Sequence, residues 1–142
     1  MADDPITLIR RSAKGDMDAH RALAELAIAA GLEAVTNGED AFVPYYEASI
    51  FSRMAAASGL LPDRARLMSV LAVCAELANQ DGAADEAGVY TAEGIAIAEL
   101  VADAGNGAAS EYAAQIIAND AGDCSPTELM MAKEFKLVWG KA

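Results

Sequence analysis

Apolar residues recur along this chain at steps of three and four, and the pattern is broken at glycines. The clearest stretch follows Pro44, where Val43, Tyr46, Ile50, Met54 and Ala57 share one helical face and predict a core stripe. Gly59 ends that helix, and Pro62 opens another that turns Leu67, Val70, Leu71 and Cys74 inward. Upstream, Asp3 or Asp4 caps a first helix at Pro5 whose inner face is Ile6, Ile9 and Ala13. Asp16 caps a second, with Ala19, Leu23, Leu26, Ala27 and Ala30 inward and Gly31 as its end. A connection from about 32 to 42 follows, turning at Thr36, Asn37 and Gly38.

Downstream, a fifth helix starts near Thr91 or as early as Ala84, because Gly88 and Gly94 interrupt the pattern, and ends at Ala104. A sixth runs from about Gly107 to Ala121, with Ala109, Ala113, Ile116 and Ile117 inside. Ser125, Pro126 and Glu128 form a capping box that starts a seventh. Its face of Met131, Phe135 and Val138, flanked by Ala132 and Trp139, needs cover and is expected to pack on the third hairpin near Ile116. A homodimer through 125–139 is the alternative cover.

These helices predict an all-α fold: hairpins at about 5–30, 44–79 and 91–121, then a capping helix at 125–139, in a single domain spanning 1–142. The turns at Gly15, Gly59 and Gly105 lie 44 and 46 residues apart. Aligned on them, Leu23, Leu67 and Ala113 coincide, as do Leu26, Val70 and Ile116, and Ala27, Leu71 and Ile117. Thirty-four alanines favour helix and close helix packing.

Charge refines this picture. The net charge is −12, and residues 67–132 hold eleven acids, from Glu76 to Glu128, without one Lys or Arg. Such a surface repels phosphate backbones and steers basic partners, so no nucleic acid is expected. Asp85, Glu86 and Glu93 are expected among its surface acids. The longest apolar run, 67–75, is too short to span a membrane, and the acidic start is unlike a secretory signal. With only Cys74 and Cys124, reduced thiols and a cytoplasmic setting are expected.

Gly15 followed by Ala19 and Leu23 resembles the tetratricopeptide superfamily, particularly its Sel-like branch, where Ala and Leu recur at four-residue steps after a glycine turn. Gly105, Ala109 and Ala113 fit the small positions, whereas Asp63 stands where Ala is expected. The glycine-rich loop after the second Sel-like helix is missing. The resemblance covers 5–122 and implies a right-handed superhelix of helix pairs that binds proteins. It also implies that the first helix of each pair lines a groove. On the third helix the polar flank is Tyr45, Ser49, Ser52 and Arg53, with Glu99 at an equivalent place on the fifth, and these are the candidate ligand contacts.

Nothing announces catalysis. His20 stands alone near Asp16 and Asp18, short of the four ligands a structural metal site needs. Asn79 to Glu86 lacks the ligand spacing of a calcium loop, and no phosphate-binding glycine loop exists. Cys74 reads as a buried hydrophobe, and Cys124 has no basic neighbour in sequence. The expected function is non-catalytic binding of a protein or peptide, without cofactor or metal. A small-molecule-binding or catalytic bundle and an acidic mimic of nucleic acid stay open as alternatives.

Overall fold

The structure, a computed structural model, describes residues 4–105 and 107–141, with the side chains of 120 and 121 excepted. Seven α-helices account for them: α1 (Pro5–Ala13), α2 (Met17–Thr36), α3 (Phe42–Ala56), α4 (Leu61–Gln80), α5 (Ala84–Asp103), α6 (Ala108–Asp120) and α7 (Pro126–Gly140). One 3₁₀ turn, Ala121–Asp123, joins the last two, and no strand occurs among the described residues. The chain is all-α.

Local chemistry sets the helix starts. The Asp4 carboxylate accepts from the Thr7 amide at 2.9 Å with Pro5 behind it, Asp16 accepts from Ala19, and the Ser125 hydroxyl accepts from Glu128 at 3.2 Å. Asp3, the other candidate cap, lies outside the described residues. The turns between helices carry left-handed glycines at 15, 38, 59, 82 and 105, which are 23, 21, 23 and 23 residues apart. A positive φ at these corners suits glycine because it has no Cβ.

Each helix packs on the next from α1 to α6, and α7 returns to lie along α5. Helix α5 is therefore the hub. From Ala92 to Ala98 every residue is buried, as expected of a helix enclosed on all sides. This enclosure explains why α5 starts at Ala84 despite Gly88 and Gly94, since tertiary packing outweighs about 1 kcal/mol of glycine penalty at each. Leu67, Met68 and Leu71 of α4 meet Ile97, Ala98 and Val101 of α5 and Ala113 of α6 in the main core. A second cluster joins Ala27 and Ala34 of α2, Tyr45 and Ala48 of α3, and Val70 and Cys74 of α4.

Several inward faces differ from the periodic expectation. In α1, Leu8 and Ser12 are buried while Ile6, Ile9 and Ala13 face out. In α2, Leu26 and Ala30 are exposed. Helix α3 is reversed outright: Tyr45, Ala48, Ser49, Ser52, Ala55 and Ala56 are buried, and Val43, Tyr46, Ile50, Met54 and Ala57 face solvent. The cause is the narrow spacing that small residues permit. Ala48, Ser49, Ser52, Ala55 and Ala56 are all fully buried, leaving no depth for an Ile or Met at these contacts.

Gly31 belongs to the same tight seam. It does not end α2, which continues to Thr36. A Cβ there would stand 2.6 Å from the Tyr45 ring. Helix α7 packs on the third hairpin as expected, but on its α5 helix rather than beside Ile116 of α6. Met131, Ala132 and Phe135 pack near Ala92 and Ile95, Trp139 reaches the main core, and Val138 remains exposed.

Asp63 joins α2 to α4. Its carboxylate is buried and accepts from Arg21 Nε at 3.0 Å and Nη2 at 2.9 Å, from Ser58 Oγ at 2.7 Å, and from Arg66 Nη1 at 3.0 Å. Burial pushes its pKa up, but these hydrogen bonds and the Arg21 charge outweigh that and hold it at about 2, against an ordinary 3.8. A depressed carboxyl stabilises the fold above its ordinary value and loses that contribution as pH falls toward the folded one. The shift corresponds to roughly 2 kcal/mol.

Two outcomes are expected. Asp63→Asn lowers unfolding free energy at pH 7, and its deficit against wild type shrinks from about pH 4 to about pH 2 in urea titrations. A deficit that is constant with pH would remove the carboxylate from the explanation. Gly31→Ala destabilises by about 1–3 kcal/mol through overpacking on Tyr45, although alanine is the better helix former. A more stable variant would show that the Tyr45 ring gives way.

Candidate docking surface

The reversal of α3 decides what this molecule shows to solvent. Tyr45, Ser49 and Ser52, three of the candidate contacts, lie in the interior. Arg53 is part-buried, and its guanidinium grips the buried Glu93 carboxylate of α5 through Nε at 3.0 and 3.2 Å and Nη2 at 2.8 Å. Glu93 is therefore an interior anchor and not a surface acid. Its Oε2 also accepts from the Trp139 indole at 3.1 Å, which ties α7 to the same point. Glu99 is half-exposed and accepts from Lys136 of α7 at 3.0 Å, away from α3. The structure thus brings Tyr45, Ser49, Ser52 and Arg53 together as a polar seam and separates Glu99 from them.

Within the seam, Ser49 Oγ donates to the Tyr46 carbonyl at 2.6 Å and lies 3.2 Å from Arg53 Nη1, while the Ser52 hydroxyl has no hydrogen-bond partner. Cys74 sits beneath with its thiol on the Tyr45 carbonyl at 3.4 Å. Burial pushes that thiol up to about 11, only partly opposed by the Arg53 charge, so it is no nucleophile at neutral pH.

What α3 offers instead is apolar. Val43, Tyr46, Ile50 and Met54 are 61%, 46%, 38% and 36% exposed and run along one side of the helix. At the N-terminal end this stripe meets a recess of about 440 Å³ lined by Phe42, Tyr46, Glu86, Val89 and Tyr90. Phe42 and Tyr46 stack with centroids 6.1 Å apart and form one wall. Sequence reasoning missed Phe42, Val89 and Tyr90. A signal existed, since the chain has only eight aromatic residues and four of them fall at 42, 45, 46 and 51.

Other places have less to offer. An open cleft of about 750 Å³ between α4, α5 and the start of α7 is lined by alanines and Gly88 together with the polar Glu76, Asn79, Gln80, Thr91, Asp123, Cys124 and Glu128. Ser12 and His20 form a pair at 2.7 Å, geometry that can activate a hydroxyl, but both are buried and neither lines any of these recesses. Among the described residues no three His, Cys, Asp or Glu side chains gather as a metal site would need. No described helix is long and apolar enough to cross a membrane.

No family model, curated protein or solved structure matches this chain.

The polar seam has its own consequence for stability. Glu93→Gln leaves the Arg53 charge without its counter-ion in the interior, and loss of about 3 kcal/mol is expected, with a matching fall in Trp139 fluorescence shielding. Unchanged denaturation midpoints and an unchanged tryptophan spectrum would mean that the pair is solvated and dispensable.

Proposed function

We propose that this chain is a small helical binding module, non-catalytic, that docks a protein or peptide on the outer side of α3. The exposed stripe of Val43, Tyr46, Ile50 and Met54 carries this reading. Single exposed apolar residues are ordinary, but a full helical row beside an aromatic recess is the pattern of an interaction surface. An enzyme active site, in contrast, needs convergent polar groups facing a pocket. Here Ser49, Ser52 and Arg53 of α3 turn inward, and Arg53 is matched to Glu93 of α5 rather than facing a pocket.

The reading also rests on the tetratricopeptide-like, Sel-like resemblance. Two features support that relationship. Gly15, Gly59 and Gly105 share the left-handed conformation at every second corner, as Gly38 and Gly82 do at the corners between, and Leu23, Leu67 and Ala113 are all buried. Against a strict match, Leu26 is exposed where Val70 is buried. In the reading proposed here, α3 and α5 are the first helices of adjacent pairs, and the solvent side of α3 with the exposed start of α5 meets the partner in a cytoplasmic setting.

Photo-crosslinking tests it. A benzophenone amino acid placed at Ile50 or Met54 is expected to capture discrete protein adducts in cells, whereas the same group at exposed Gln115 of α6 does not. Equal adducts at all three positions, or none at α3, would remove this surface as the docking site.

A further inference from the structure

The stripe on α3 is flanked by exposed acids, Glu47 on α3 and Glu86 in the recess. Between residues 22 and 52 there is no Lys or Arg, and there is none between 67 and 132. The three arginines in the remaining window are all engaged. Arg53 holds Glu93, Arg66 holds Asp63 and Glu25, and Arg64 donates Nη2 to the Trp139 carbonyl at 2.9 Å. Around the stripe, Glu47 is exposed on α3 itself, Glu39 and Asp40 precede it, and Asp85 and Glu86 begin α5. Glu86 lines the aromatic recess directly.

We infer that the occupant of this surface is a basic amphipathic helix of a partner protein. It would lay an apolar row along Val43, Tyr46, Ile50 and Met54, seat one larger side chain in the Phe42–Tyr90 recess, and point flanking Lys or Arg at Glu47 and Glu86. This rests on the docking role proposed above and adds the chemistry of the partner. Length agrees with shape: the 15 residues of α3 extend about 22 Å, so a partner helix of about four turns covers the row. Charge decides between occupants. An acidic segment meets Glu47 on the stripe's flank and Glu86 in the recess, and a second copy of the chain brings a net charge of −12 to a surface bearing the same acids.

The test uses the full chain and two labelled helical peptides of about 18 residues. Both carry leucines on one face; one has Lys on its flanks, the other Glu at the same places. Fluorescence anisotropy is expected to show binding of the Lys peptide, weakened about tenfold between low salt and about 0.5 M salt. Tyr46→Ala and the pair Glu47→Gln with Glu86→Gln should each weaken it at least several-fold, with circular dichroism confirming that these exposed changes leave the helices intact. Equal or stronger binding of the Glu peptide would overturn the proposal, as would a Lys peptide indifferent to both sets of substitutions. So would a wild-type dimer by sedimentation that Tyr46→Glu dissolves, because the occupant is then a second copy. If crosslinks form at Ile50 but the Lys peptide neither binds nor competes with them, the docking role stands and the basic helix falls. If crosslinks also fail, both fall together.

Discussion

The Glu93 carboxylate holds three helices at one point. It lies in the most enclosed turn of α5, accepts the Arg53 guanidinium of α3 through both oxygens, and accepts the Trp139 indole of α7. A buried charge is costly unless paired and fully hydrogen-bonded, so these helices can meet only in the register that supplies both donors. Orientation of α3 follows from this. With Arg53 turned toward α5, Ser49 one turn earlier and Ser52 beside it also face inward, and the residues opposite them must face water. The apolar stripe is exposed because the polar seam is not.

Much of the helical layout was legible in the sequence, since caps and turns are local. Asp16, Ser125 and the glycines at 15, 59 and 82 act within one turn of chain, and their roles survive whatever packs around them. The facing of helices was not legible to the same degree. Amphipathic reasoning puts the largest apolar side chains inside, but in an alanine-rich chain both sides of a helix are apolar enough to bury. Close approach then selects the small side, as Gly31 against Tyr45 illustrates at 2.6 Å from a would-be Cβ. Pairing across long sequence distances, such as Arg53 with Glu93, leaves no local trace, so Glu93 read as one more surface acid. The candidate contacts lie on the polar flank of α3, and the exposed flank of that helix is the other one.

The position that breaks the Sel-like pattern is informative. Ala19 and Ala109 hold the small place four residues after a glycine corner, and Asp63 holds it in the second pair. There the side chain is buried like an alanine but is met by two arginines and a serine hydroxyl. The exchange replaces a contact by a clamp, and it fixes α2 on α4 at the end of the α3–α4 corner. Together with the Glu93 anchor it braces α3 from both sides. In the docking mode proposed above, a helix braced in this way loses little conformational entropy when a partner arrives, which favours affinity without added area.

An apolar row in water invites self-association, and the charge pattern bears on this directly. Two copies approaching through α3 would oppose Glu47 and Glu86 with their own equivalents, while Arg53 and Arg66 are already paired with Glu93 and Asp63 within each fold. In the proposed docking mode the acidity becomes discrimination: it repels the copy and attracts a segment of opposite sign. Burying the basic groups of this window in internal pairs is what makes that discrimination possible. The polar seam of α3 therefore has two effects, placing the apolar row outside and removing the positive charge that would otherwise let the row find itself.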